Sequence, residues 1–244
     1  MPWEVTGQIA KISCIGRHSQ HRWTCQFDLT QPHLGLAVHR HAPEAGAGDW
    51  HLLKIRPAPA HACAVDDWFA RGSDLMVRYA QSETERFAFQ IDFRRVPEEQ
   101  LGECDCGWDV WLSVQTQLLD AHPALEVSHA IPGGQWSVLP GSGGHGAQPQ
   151  VGALFSKTQL GCMAMLVHPS DQPQTEWLTP AGQSGGSVLM QQDESGVRLL
   201  GDFMEKGVIR RARLRCLWSG QPLSAEQLAD CMAEFAECPL PLTA

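Results

Sequence analysis

A basic excess and long apolar runs are what this chain lacks, and each lack removes a class of function. Eighteen lysines and arginines stand against 27 aspartates and glutamates, a formal net charge of -9. A surface that tracks phosphate backbones or anionic lipid needs a basic excess, so neither a nucleic-acid partner nor a membrane surface is expected. No run approaches the roughly 20 apolar residues of a bilayer-spanning helix. The opening MPWEVTGQIAKISC lacks the basic stretch and long apolar segment of a secretory leader. No GxxxxGK[ST] string occurs, so phosphate-loop chemistry is not expected, and serine-hydrolase chemistry is not expected either. The nine cysteines are odd in number and mostly sit singly inside apolar runs, as reduced core residues do. A cytoplasmic protein is therefore expected.

What is present is a core. Hydrophobic residues make up 43% of the chain and charged residues only 18%, the balance of a folded globular protein. Period-two alternation marks many strands. It is clearest over residues 86–95, where Phe87, Phe89, Ile91 and Phe93 share one face and Gln90, Asp92 and Arg94 the other. Residues 108–117 repeat it with Trp108, Val110, Leu112 and Val114 inward. Further strands are expected at 5–15, 22–30, 34–41, 50–56, 75–80, 125–130, 160–168, 187–191 and 197–201, with PAPAHAC breaking regular structure after residue 56. Glycine and proline crowd residues 131–152, which predicts a long loop interrupted by a short strand at 136–139. One helix is expected over about 224–236: Ser224 and Gln227 have capping-box spacing, Leu223 and Leu228 can staple it, and Leu228, Cys231, Met232 and Phe235 form its apolar stripe. No repeat or composition shift divides residues 1–244, so the expectation is a single domain, mainly β, a large antiparallel β-sandwich with one C-terminal helix.

The chain is organised around residues 205–218, EKGVIRRARLRCLW. As a strand it puts Ala212, Leu214, Cys216 and Trp218 on one face and Arg211, Arg213, Arg215 and Leu217 on the other. Successive arginines would stand roughly 7 Å apart and repel by about 2.4 kcal/mol at an effective dielectric near 20. Such a row needs water, acidic neighbours or an anionic ligand. A cross-strand ladder to Asp92, Asp109 or Glu126 would satisfy it without any ligand. Otherwise Arg211, Arg213 and Arg215 could serve as forked donors to an anionic or hydroxyl-rich molecule.

Other candidates are weaker. Cys104-Asp105-Cys106 lacks the second ligand pair of a zinc knuckle, and nothing fixes convergence of His33, His39, His41 and His51, so no metal and no cofactor are expected. His168 and Asp171, in VHPSD, could form a tautomer-fixed general acid or base, or an ordinary turn. Trp136, in the glycine-rich segment, is the candidate stacking platform for a sugar ring.

The segments SVQTQLLDAHP, VHPSD and EKGVIRRARLR resemble a group of bacterial proteins of unassigned activity. The strand-rich architecture also resembles the galactose-mutarotase-type supersandwich. That resemblance implies a sugar-binding concave face, and a glutamate base with a histidine acid, roles whose chemistry Glu205 and His168 share. The leading expectation is a protein that binds a carbohydrate-like or anionic small molecule through Arg211, Arg213, Arg215, Trp136 and Asp171. The alternatives are a sugar-modifying, mutarotase- or epimerase-like enzyme using His168 and Glu205, and a protein-interaction scaffold without a small ligand.

Overall fold

The computed structural model describes residues 2–41, 50–58, 63–82, 86–140, 151–158, 161–171, 175–178 and 194–238. Among these residues the chain runs through β1 (Glu4–Thr6), β2 (Ile9–Ile15), β3 (Arg22–Asp28), β4 (Leu36–His41), β5 (Trp50–Ala58), β6 (Val65–Arg71), β7 (Asp74–Tyr79) and β8 (Ala88–Arg95). It continues through β9 (Cys106–Gln115), β10 (Ala124–Ala130), β11 (Gln135–Pro140), β12 (Val151–Thr158), β13 (Gly161–Val167), β14 (Thr175–Leu178), β15 (Glu194–Leu199) and β16 (Ile209–Ser219), and then forms the helix α1 (Ala225–Ala236). The strands build two eight-stranded antiparallel sheets. The first has the order β1-β2-β3-β4-β5-β10-β15-β14 and the second β11-β12-β13-β16-β9-β8-β7-β6. The protein is thus mainly β, a large antiparallel sandwich with one C-terminal helix among the described residues.

The main core lies between the sheets, where the inward half of each alternating strand meets its counterpart. Trp23 of β3 packs on Trp218 of β16 with ring centroids 6.5 Å apart, and Phe27 of β3 on Phe93 of β8 at 5.0 Å. A second apolar cluster lies on the other side of the second sheet, where Leu223, Leu228, Cys231, Met232 and Phe235 cover Ala164, Leu166 and Leu217. The Ser224–Gln227 capping box is formed. Burial on both faces explains why β13, GCMAMLV, reads as an unbroken apolar run rather than an alternating one.

Several elements depart from the sequence reading, among them β12 and β14, which it did not expect as strands. The strand expected over 5–15 is a hairpin, β1 and β2, because Gly7 takes a φ of 61° and turns the chain in two residues. Pro57 continues β5 rather than ending it: it pairs with Leu125 of β10, while β4 accompanies β5 only from Trp50 to Leu52, so no ladder bond is lost on that side. The edge strand β6 shows no clean alternation, being solvated on most of its length. Residues 141–150 and the strand expected at 187–191 lie outside the described residues.

Candidate ligand-binding site

The arginine row of β16 points away from the main core, as alternation requires, but its members have different surroundings. Arg215 lies fully buried beneath α1. It pairs in register with Asp109 of β9, donating from Nε to Oδ1 at 2.6 Å and from Nη2 to Oδ2 at 2.9 Å. Nη2 also donates to Gln100 Oε1 at 2.9 Å, and the guanidinium sits 4.7 Å from the centroid of the Phe235 ring. The last turn of α1 carries no basic residue, so this sheet arginine supplies a cation near the helix C-terminus, where one is favourable.

Arg213, one rung along, is also buried. Its Nη2 donates to His168 Nδ1 at 2.8 Å and to Ser170 Oγ at 2.6 Å. Asp171 accepts from the Arg213 backbone N–H at 2.9 Å and stands 3.5 Å from Nε. His168 Nδ1 also faces the Ser170 backbone N–H at 3.3 Å; accepting there puts the neutral ring's proton on Nε2. Burial, and then the Arg213 cation, hold the His168 pKa below its ordinary value. The imidazole is therefore a neutral acceptor locked against Arg213, with its ring edge-on to Phe235 at 5.2 Å. Sequence reasoning placed His168 with Asp171; the structure adds Arg213 and Ser170 between them.

Arg211 is different. It is exposed, and among the described residues its side chain has no hydrogen-bonding or ion-pair partner. Backbone pairing places it opposite Ser113 of β9, which pairs with Gln90 of β8, which pairs with Arg78 of β7. These four side chains form one row across four strands, spanning about 14 Å at the usual strand spacing. A groove of about 170 Å³ opens over them, with Gln115 and Ile209 at one end. Arg78 is held by Asp66 at 3.2 Å, and Gln90 donates to Asp92 at 2.8 Å. Burial raises the Asp92 pKa, while Gln90, Arg94 and Arg211 pull the other way. In the next row Asp92 faces Trp111, which is half-buried and carries the Arg94 guanidinium 4.7 Å from its ring centroid.

The other sequence-derived candidates lie elsewhere. Trp136 is half-buried in β11, against the main core and 6.3 Å from the His129 ring, rather than standing free in a loop. Glu205 is exposed in the turn before β16, whereas His168 is buried at the end of β13 against Phe235 of α1. Among the described residues no group of three or more His, Cys, Asp or Glu converges as a metal site. His41 Nε2 meets Thr24 Oγ1 at 2.8 Å and His51 Nδ1 meets the Leu34 carbonyl at 3.2 Å. Two strings qualify the motif exclusions: GSGGHG at 141–146 spells GxGxxG, and GQSGG at 182–186 spells GxSxG. Both lie outside the described residues. Gln90, Ser113 and Trp111 were not singled out from the sequence. Trp111 was findable, because three residues beyond the inward Trp108 is an odd offset and so the opposite face.

No protein-family model and no curated protein sequence matches the chain. Several solved structures resemble it. Among them, HI1317 does so at 9% identity and a TM-score of 0.46, over 90% of this chain and 99% of that one. A protein described as a kojibiose phosphorylase from the human microbiome does so at 10% identity and a TM-score of 0.45. That match covers 98% of this chain, which spans only 37% of the other. Likeness at this level says nothing of chemistry, so the site stands on its own geometry. No helix among the described residues is long and apolar enough to cross a membrane.

Proposed function

We propose that the outer face of the second sheet binds a small, anionic, hydroxyl-bearing molecule, with Arg211 as its anchoring cation. The observation that carries this reading is the contrast within the row. Arg215 and Arg213 are ion-paired to carboxylates, whereas the Arg211 side chain has no hydrogen bond or ion pair among the described residues and acts on Asp92 only through space. A planar guanidinium offers a fork to a carboxylate or phosphate. Ser113 and Gln90, directly across the strands, offer the hydroxyl and amide groups that recognise sugar hydroxyls, and Arg78 closes the far side of the groove. At about 170 Å³ the groove is smaller than the 300 Å³ or more of drug-sized pockets. It suits a single ring or the head of a short acid, so sugar acids and sugar phosphates are the classes to try. In this reading Arg213, Arg215, Asp171, His168 and Trp136 hold the fold around the groove and do not touch the ligand.

The test is calorimetric titration and thermal-shift screening of the purified chain against sugar acids, sugar phosphates, neutral sugars and inorganic phosphate. A native-state ligand at 100 times its dissociation constant adds about 2.7 kcal/mol. Binding by anionic members that weakens at least tenfold in Arg211→Ala supports the reading. Binding indifferent to that substitution, or none from any anion, sinks it and favours a protein-interaction role.

A further inference from the structure

The cysteines of Cys104-Asp105-Cys106 play no part in ligand binding, and the structure sends them to opposite faces of the second sheet. Cys104 faces α1, in the apolar cluster that holds Cys231. Cys106 opens β9 on the inner face, where its Sγ lies 3.1 Å from Cys14 Sγ of β2, in the first sheet. Asp105 fixes this crossing. Its Oδ1 accepts from the backbone N–H groups of His18 and Ser19 at 2.8 and 2.7 Å, and its Oδ2 from that of Gly220 at 2.7 Å. The chain just after Cys14 is thereby clamped to the residue just before Cys106. The two sulfurs are brought together by the fold, from positions 92 residues apart.

A disulfide needs sulfurs about 2.05 Å apart, so closure requires a movement of roughly 1 Å. We propose that Cys14 and Cys106 are a peroxide-oxidisable dithiol that links the two sheets covalently. Hydrogen bonding within the Cys14, Cys25 and Cys106 group favours a thiolate on one sulfur of the pair against the burial that opposes it. The chemistry balances in the same way from either sulfur: it begins at Cys14 or, with the two roles exchanged, at Cys106. From Cys14, the thiolate displaces hydroxide from hydrogen peroxide and becomes a sulfenic acid, and the hydroxide takes the thiol proton to leave as water. Cys106 Sγ then attacks the Cys14 sulfur, the S–O bond breaks, and the oxygen departs with the Cys106 proton as a second water. One O–O and two S–H bonds are exchanged for one S–S bond and two O–H bonds of water, and two electrons pass from the thiols to the peroxide. Both cysteines are buried, so the oxidant has to be a molecule of peroxide's size.

The reduced full-length chain is treated with hydrogen peroxide, alkylated, and digested with a protease that cuts on the amino side of aspartate. That cut places Cys104 and Cys106 in different peptides, and a second digestion with trypsin, at Lys11, Arg17 and Arg22, separates Cys14 from Cys25. The expected product is a Cys14–Cys106 linked pair, two hydrogens lighter than its reduced parts. A thermal midpoint raised by roughly 10 °C and restored by dithiothreitol should accompany it, and Cys106→Ala should abolish both. The assignment is overturned if Cys14 and Cys106 remain alkylatable while the half-buried Cys63 and Cys238 take up oxygen. It is equally overturned if Cys14 links to Cys25, or if the rise survives in Cys106→Ala.

Discussion

Arg211 and Arg215 stand on the same face of the same strand, four residues apart, yet one is an open cation and the other an internal strut. Nothing in their own side chains accounts for this. The difference comes from what lies above and beside them. α1 crosses the outer face over β13 and the Arg215 end of β16, and there the sheet is buried on both sides. Asp109 sits directly across the strand to neutralise the enclosed charge. Opposite Arg211 the partner is Ser113, and no helix among the described residues covers the rung. A single helix therefore divides one sheet face into a sealed half, which holds the fold together, and an open half with spare hydrogen-bonding capacity.

The largest expected effect comes from breaking the sealed half. Arg215→Ala leaves the Asp109 carboxylate facing the underside of α1 without its partner, and should cost about 3–5 kcal/mol of unfolding free energy in denaturant titrations. The double replacement Arg215→Met with Asp109→Leu removes both charges and should recover most of that loss; failure to recover would mean that the guanidinium is needed for more than charge balance. Phe235→Ala strips the ring that touches both Arg215 and His168 and should cost about 3 kcal/mol. It should leave any anion affinity in the groove intact, since that ring lies on the covered side.

Acid should distinguish the two halves more gently. His168 has a lowered pKa through burial and the Arg213 charge, and burial pushes His129, in the main core, down to about 3. Both bind protons more readily unfolded, near pH 6.5. Stability is therefore fully present above that pH and falls as the pH drops toward each folded pKa, by about 1.4 kcal/mol per unit for each histidine while it remains neutral in the fold. His168→Gln should roughly halve the slope just below pH 6.5, measured by denaturation at a series of pH values. The smallest expected change in stability belongs to the open half: Arg211→Ala should shift unfolding free energy by less than about 0.5 kcal/mol while removing anion binding. A larger loss would mean that Arg211 is another strut and would erase the contrast.

Much of this was legible in the sequence because alternation is a local signal. The inward faces of β8, β9 and β16 and the capped helix are where period and capping rules place them. The need of the arginine row for neutralisation was also legible, with Asp109 among the carboxylates available for it. The position of α1 was not, because an apolar stripe says that a helix is covered without saying which strands it covers. That one uncertainty concealed the burial of Arg213 and Arg215 and left all three arginines equivalent. The groove was hidden for a similar reason: Arg78, Gln90, Ser113 and Arg211 come from four separate strands, and only register aligns them. His168 and Asp171 were visible together as neighbours in the chain, whereas their meeting with Arg213 depends on β13 lying beside β16.

The four-strand row also separates what can change from what cannot. Each rung of the groove projects from backbone whose opposite face is already committed to the core, through Val77, Phe89, Ile91, Leu112, Val114 and Ala212. Residues 78, 90, 113 and 211 can therefore be exchanged as a combinatorial set on a rigid platform. An altered recognition property can be selected there one substitution at a time. At position 215, by contrast, an inherited change survives only if position 109 changes with it.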